Sequence, residues 1–287
     1  MQIDSRMVRS ADGCHLYAEA VGNRDHPAIL FIPGASVTGT WWRKQFDSLS
    51  DTFYCVRFDL RGNGASDKPS DPAAYQESQR WADDIAAIIS AFELSKPTVC
   101  AWSYGGYALG GYLQHYGQAN LSGVVMVDSG AQLNTDQSKD QLHEAFGQLI
   151  GKLFSPDVTA YREGVEDVFK SLTAAPVEDR DRADFHGASF LMAPATWQAM
   201  FGRRIDHTED FERVSLPILV VHGQQDPIFT PRAAEQFREI IPQAQISSYP
   251  CAHAPFYECA ERFNLELVQL MNDVSSKRHV AARHGSG

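Results

Sequence analysis

The sequence predicts an α/β fold: a mostly parallel sheet of eight strands, flanked by helices, with a helical cap inserted between two strand runs. Two observations predict it. Short apolar runs alternate with helical patterns along most of the 287 residues, the arrangement that builds parallel sheets. The alternation lapses across 131–208, where three helical stripes follow one another without a strand. The lapse divides the chain into a core, 1–130 with 209–275, and a helical cap, 131–208.

The strands begin with a hairpin, 1–9 and 14–20, turning at "ADG". "AILFI" (28–32), "TFYCVRFDL" (52–60), "PTVCAW" (97–102) and "GVVMVD" (123–128) follow, then "PILVVHG" (217–223) and "AQISSYP" (244–250). Between them, Trp81, Ile85, Ile88, Ile89 and Phe92 form one apolar stripe at helical spacing. A second helix is expected over 104–116, where Gly106 and Gly110 leave a smooth face for close packing. In the cap, Leu142, Phe146, Leu149, Ile150 and Leu153 make one stripe. Tyr161, Val165, Val168, Phe169 and Leu172 make another, and a less regular third carries Phe185, Phe190, Leu191, Trp197, Met200 and Phe201. Residues 276–287 are polar and are expected to form a disordered tail outside the fold.

Composition narrows the function. A hydrophobic content of 44% is enough for a large core. The 36 acidic residues outnumber 25 basic ones, for a formal charge of −11, the wrong sign for a partner of nucleic acid or an anionic membrane. No apolar run approaches the ~18 residues of a membrane helix, and the opening lacks the apolar stretch of a secretory signal. Five cysteines without C-x-x-C spacing suggest reduced thiols and a cytoplasmic location. No histidine and cysteine cluster has metal spacing, and no cofactor is expected. "RGNGASDKP" lacks the third glycine and the Lys-Ser/Thr pair of phosphate loops, so it reads as a tight turn.

The chemistry centres on "AWSYG". Ser103 follows an apolar strand and precedes a helix, with Ala101 and Gly105 as the small residues that a sharp strand-to-helix bend demands. Such a bend exposes the hydroxyl and aims helix N–H groups at developing negative charge. A nucleophilic serine needs a base, and the base an acid. Of ten histidines, His253 lies in the loop after the last strand, "YPCAHAPFYE", on the same sheet edge as Ser103. His222 ends a strand and reads as structural; His115 lies at the far end of the helix that follows Ser103. Asp226, beyond the penultimate strand in "VHGQQDPIF", is the preferred acid, with Asp128 at the end of "VVMVD" as its competitor.

The order Ser103, Asp226, His253, together with "RFDLRGNGASDKP" and the cap, resembles the α/β-hydrolase superfamily over nearly the whole chain, about Met7 to Val274. The resemblance implies the α/β-hydrolase fold and a serine hydrolase acting through an acyl-enzyme. It also implies an oxyanion hole from the main-chain N–H groups of Ala35 and Tyr104, although "FIPGAS" carries Pro33 where histidine is usual. Serine at the bend excludes the alkyl-enzyme route of relatives that place aspartate there, and points to esters, lactones or thioesters. Trp42, Trp102, Phe154, Phe190 and Trp197 are candidate walls of an apolar pocket beneath the cap, with ordinary core packing as the competing reading. The expected partner is a small or medium hydrophobic ester or lactone, as in capped esterases and acyl-homoserine lactone hydrolases. A homodimer is left open. A C–C bond hydrolase, a cofactor-free perhydrolase with the same three residues, and a low-turnover ligand receptor are the alternatives.

Overall fold

The computed structural model describes the backbone of residues 3–284 and the side chains of residues 3–274. β1 (Asp4–Arg9) and β2 (His15–Val21) form the expected hairpin. β3 (Ala28–Ile32), β4 (Tyr54–Phe58), β5 (Thr98–Trp102) and β6 (Gly123–Val127) follow. The two-residue strands β7 (Gln132–Leu133) and β8 (Ile205–Asp206) pair with each other. β9 (Ile218–Gly223) and β10 (Gln245–Tyr249) complete the main sheet, whose order is β1-β2-β4-β3-β5-β6-β9-β10. β2 pairs antiparallel with β1 and β4, and all later pairings are parallel.

Every residue of β3, β4, β5, β6 and β9 is buried, which is why these runs are mostly apolar and do not alternate; Arg57, Thr98 and His222 are the polar residues among them. The fourth strand is shorter than its apolar run. Asp59 and Leu60 leave the ladder because the Asp59 carboxylate accepts the N–H groups of Gly39 (2.7 Å) and Ala65 (2.8 Å). Burial pushes that carboxyl up to about 6, against the pull of those two donors.

The flanking helices are α1 (Arg43–Leu49), α2 (Ala73–Gln76), α3 (Ser78–Ala91) and α4 (Tyr104–Tyr116). α3 and α4 pack together, and α4 also packs on β5. Glycines of α4 allow close approach on several sides: a Cβ at Gly111 would lie 3.0 Å from Ser78 O of α3, one at Gly106 2.1 Å from Ser129 Oγ, and one at Gly110 2.5 Å from His207 Cδ2. Arg61, 0% exposed, is clamped by Asp84 with both N···O distances at 2.7 Å and by Asp12 at 2.8 Å. This anchors the "RGNG" turn to α3 and explains its role as structure.

The segment between β7 and β8 holds α5 (Glu144–Leu153), α6 (Val158–Leu172), α7 (Asp179–Phe190) and α8 (Pro194–Phe201). The third, irregular stripe is thus two helices. Pro194 starts the second, where its missing N–H costs nothing. Leu142 lies outside α5, bridging to Phe229. The segment docks on the core through polar contacts: Thr38 and Thr40 donate to Asp184, Arg43 pairs with Asp181, and Ser189 donates to Ser36 O.

α9 (Thr208–Glu212), α10 (Pro231–Ile240), α11 (Pro255–Glu258) and α12 (Ala260–His284) finish the chain, with α12 packed on α1 and β6. The tail expected to leave the fold at 276 instead continues α12 as helix to His284, because no Gly or Pro interrupts it there; residues 285–287 lie outside the described residues. No helix among the described residues is long and apolar enough to cross a membrane.

Candidate active site

Ser103 stands between β5 and α4 at φ 52° and ψ −120°, a region that costs a side-chain-bearing residue strain. Two main-chain bonds hold it there: its N–H donates to Val127 O at 2.9 Å, and its carbonyl accepts Gly106 N–H at 3.0 Å. Ser129 Oγ adds a 2.7 Å bond to the same carbonyl. The bend has no room for bulk. A Cβ at Gly105 would sit 2.6 Å from Pro33 O and 2.9 Å from Ile32 Cγ2. Gly105→Ala is therefore expected to push α4 off the loop after β3. Urea unfolding should show a loss of about 1–3 kcal/mol, and turnover through Ser103 should fall about 100-fold from misplacement.

That loop passes directly over Ser103: a Cβ at Gly34 would lie 3.1 Å from Ser103 Cβ. Ala35 follows, half-buried, and Tyr104 opens α4. No acceptor among the described residues takes the N–H of either, so both remain available to a ligand oxygen. The turn at Ala35 is held from two sides. Ser36, at φ 61°, donates its N–H to Asn63 Oδ1 at 2.6 Å and accepts Ser189 Oγ–H at 3.1 Å. Asn63 is a site-shaping residue that sequence reading passed over as part of a turn. Its position two residues after a strand-ending Asp-Leu-Arg offered no signal of a contact across 27 residues.

His253 is 1% exposed and Asp226 5%; Nδ1 lies 2.9 Å from Asp226 Oδ2. Asp226 Oδ1 accepts Ile228 N–H at 2.7 Å, which turns the carboxylate toward the ring. A carboxylate only accepts, so the ring proton sits on Nδ1 and Nε2 keeps its lone pair. Burial works against charging the imidazole, but the charge and hydrogen bond of Asp226 outweigh it and raise its pKa. Trp102, the residue before Ser103, donates its indole N–H to His253 O at 2.7 Å, and Phe229 stacks on the imidazole at 5.9 Å. The imidazole bonds Asp226, and no hydrogen bond joins it to the Ser103 hydroxyl among the described residues.

The other candidates separate. Asp128 does not reach Nδ1 of His253 and pairs with His222 at 2.8 Å. His115 bonds Ser78 Oγ, far along α4. Of the expected pocket walls, Trp42 is core: 0% exposed and stacked on Phe256 at 3.9 Å, it has no free face to offer a ligand. Trp102 is also buried, wedged between Trp41, Phe256 and the His253 loop. Phe190 is 49% exposed and lies against His186 in an outer groove, because α7 turns its last residue away from the core. Phe154 is partly buried just after α5. Trp197 is buried and stacks on Phe201, whose ring lies 5.2 Å from Tyr104. Phe229, stacked on the imidazole, is an aromatic ring that the candidate walls did not include. Phe201 and Leu142, Phe229's partner, line a cleft of about 560 Å³ with Phe146 and Ile150.

Residues 29–266 match the family model described as "Alpha/beta hydrolase family". The chain is 25% identical to a non-heme chloroperoxidase of Kitasatospora aureofaciens over 85% of this chain and 92% of the relative. It is 24% identical to 3-oxoadipate enol-lactonase 2 of Acinetobacter baylyi, over 85% and 88% respectively. Among solved structures, the esterase RhEst1 from Rhodococcus sp. superposes with a TM-score of 0.84 at 26% identity, covering 95% of this chain and 98% of that one. The strained serine, the parallel sheet and the family match over most of the length lead to one assignment: the chain belongs to the alpha/beta hydrolase family.

Proposed function

We propose that the protein is a serine hydrolase that cleaves a carboxylic ester or lactone of a small to medium hydrophobic substrate. The observation that carries the reading is the Ser103 backbone, because a side-chain-bearing residue holds φ 52° and ψ −120° only where the surroundings enforce it. The similarity to a lactonase and to an esterase supports the same reaction class.

In this mechanism His253 Nε2 takes the Ser103 hydroxyl proton as Oγ attacks the carbonyl carbon. The oxyanion accepts the N–H groups of Ala35 and Tyr104, and Asp226 holds the ring in the tautomer that leaves Nε2 basic. The imidazolium returns its proton to the leaving alkoxide. For a lactone, that alcohol stays tethered to the acyl group. Water then attacks the acyl-enzyme, with His253 as base again. The helical segment 131–208 acts as the cap, and the cleft beside Phe201 and Leu142 takes the apolar part of the substrate.

The likeness to a chloroperoxidase supports one further reading, in which hydrogen peroxide replaces water at the acyl-enzyme and releases a peracid. A cytoplasmic location fits five free thiols. The test is labelling with a fluorophosphonate and mapping of the adduct by mass spectrometry, beside hydrolysis of short nitrophenyl esters. An adduct on Ser103 and ester turnover that the label abolishes are expected. Tight ligand binding with neither would favour a receptor and overturn the proposal.

A further inference from the structure

Behind His253 lies a second acid that the mechanism above does not use. Asp128 follows β6, and His222 and Asp226 belong to β9 and the loop after it. β6 and β9 are neighbours, so the three side chains meet, with one donor atom of each within 4.8 Å of the others. Asp128 is held at φ 38°, and both carboxyl groups have 0% side-chain exposure. Asp128 Oδ1 accepts Gly223 N–H at 2.9 Å and faces His222 Nδ1 at 2.8 Å. Asp128 Oδ2 is buried and no donor faces it. Neither carboxyl has an Arg or Lys partner among the described residues.

We propose that Asp128 is a positioning residue: a neutral carboxylic acid whose Oδ2–H points at the Asp226 carboxylate, while Oδ1 accepts Gly223 N–H. The proposal rests on the reading of Asp226 as the partner of His253. Two ionised carboxylates this close, sealed from water, repel each other, so one keeps its proton. Asp226 is the one that stays ionised, since its two oxygens already accept Ile228 N–H and His253 Nδ1–H. For Asp128, a charge on Oδ2 without a donor is costly, whereas an O–H there has an acceptor.

The remaining groups agree. Burial and then the Asp226 charge raise the Asp128 carboxyl far above the usual range, with the His253 charge and the Gly223 N–H opposing. Burial lowers His222, against the charges of Asp226 and of Glu235 on α10, which leaves a neutral ring beside Asp128. The Cys251 thiol, also near Asp128, is raised by burial and stays neutral. The consequence is a single negative charge behind the imidazole. An ionised Asp128 would raise His253 further and hold more of it in the protonated, inactive form.

The experiment uses the full chain labelled with 13C at aspartate carboxyls and observed without substrate at neutral pH. A protonated carboxyl signal is expected that disappears in Asp128→Asn. Absence of that signal in the unsubstituted protein, or its persistence in a folded Asp128→Asn, overturns the proposal. If Asp128→Asn does not fold, Asp226→Asn serves: removing the neighbouring charge should move the same signal's titration to lower pH, and no movement overturns the proposal. Where ester turnover is found, the acid limb of kcat/KM in Asp128→Asn should stay at its original pH, since a neutral group replaces a neutral group. A shift to lower pH by about a unit or more would mean that a charge was removed. The spectrum needs no turnover, so a failed hydrolase reading and a failed Asp128 assignment give different results.

Discussion

Ser103→Ala is expected to reduce ester hydrolysis by about 10⁴-fold or more, because no other group can take the acyl chain and only binding and the N–H pair remain. The fold should survive, since the Ser103 hydroxyl makes no hydrogen bond among the described residues and the bend is held by main-chain bonds to Val127 and Gly106. Ser103→Gly separates strain from chemistry. Glycine enters positive φ without penalty, so this variant should be as inactive as the alanine one yet melt higher, by about 1 kcal/mol or more of relieved strain. Parallel thermal melts and nitrophenyl ester assays check both. Full turnover in Ser103→Ala would remove the nucleophile from the mechanism.

Asp226→Asn should cost about 10⁴-fold in kcat, because an amide can donate to Nδ1 and move the ring proton to the wrong nitrogen. The pH profile carries a second signature. In the proposed mechanism His253 is the neutral base, so kcat/KM should fall as pH drops through its folded pKa. Burial lowers that pKa, but the Asp226 charge and hydrogen bond raise it more, which places it above the unperturbed value of about 6.5. In Asp226→Asn the acid limb of the residual activity should move to lower pH. Stability runs the other way. A histidine whose folded pKa is raised contributes stability that is fully present below about 6.5 and is lost as pH rises through the folded value. The stability gap between the unsubstituted protein and His253→Ala should therefore be widest in acid and narrow toward alkaline pH, measured by urea unfolding at several pH values. A gap that widens with pH would contradict the raised pKa.

Legibility differed with the kind of residue. Strands β3, β5 and β9 were readable because both faces are buried, so their runs are almost wholly apolar. α4 was readable because it starts at the bend and ends at Gly117, which takes φ 66°. α7 and α8 merged into one irregular stripe, since α7 packs through polar contacts such as Asp181 with Tyr257 and Arg43. Residue type also misled: Trp42 and Phe190 are both large and aromatic, yet one stacks inside the core and the other faces solvent.

By itself, the sequence determined the sheet, the helical insertion and the residue types that the proposal takes as nucleophile, base and acid. Those are local properties: an apolar run, a small-Ser-x-Gly bend, a carboxylate just past a strand. Only the tertiary structure decided which acid meets His253 and what shapes the turn at Ala35. It also decided that Asp128 turns to His222. Those choices depend on neighbours in space, set by the order of strands in the sheet, and no spacing along the chain encodes them.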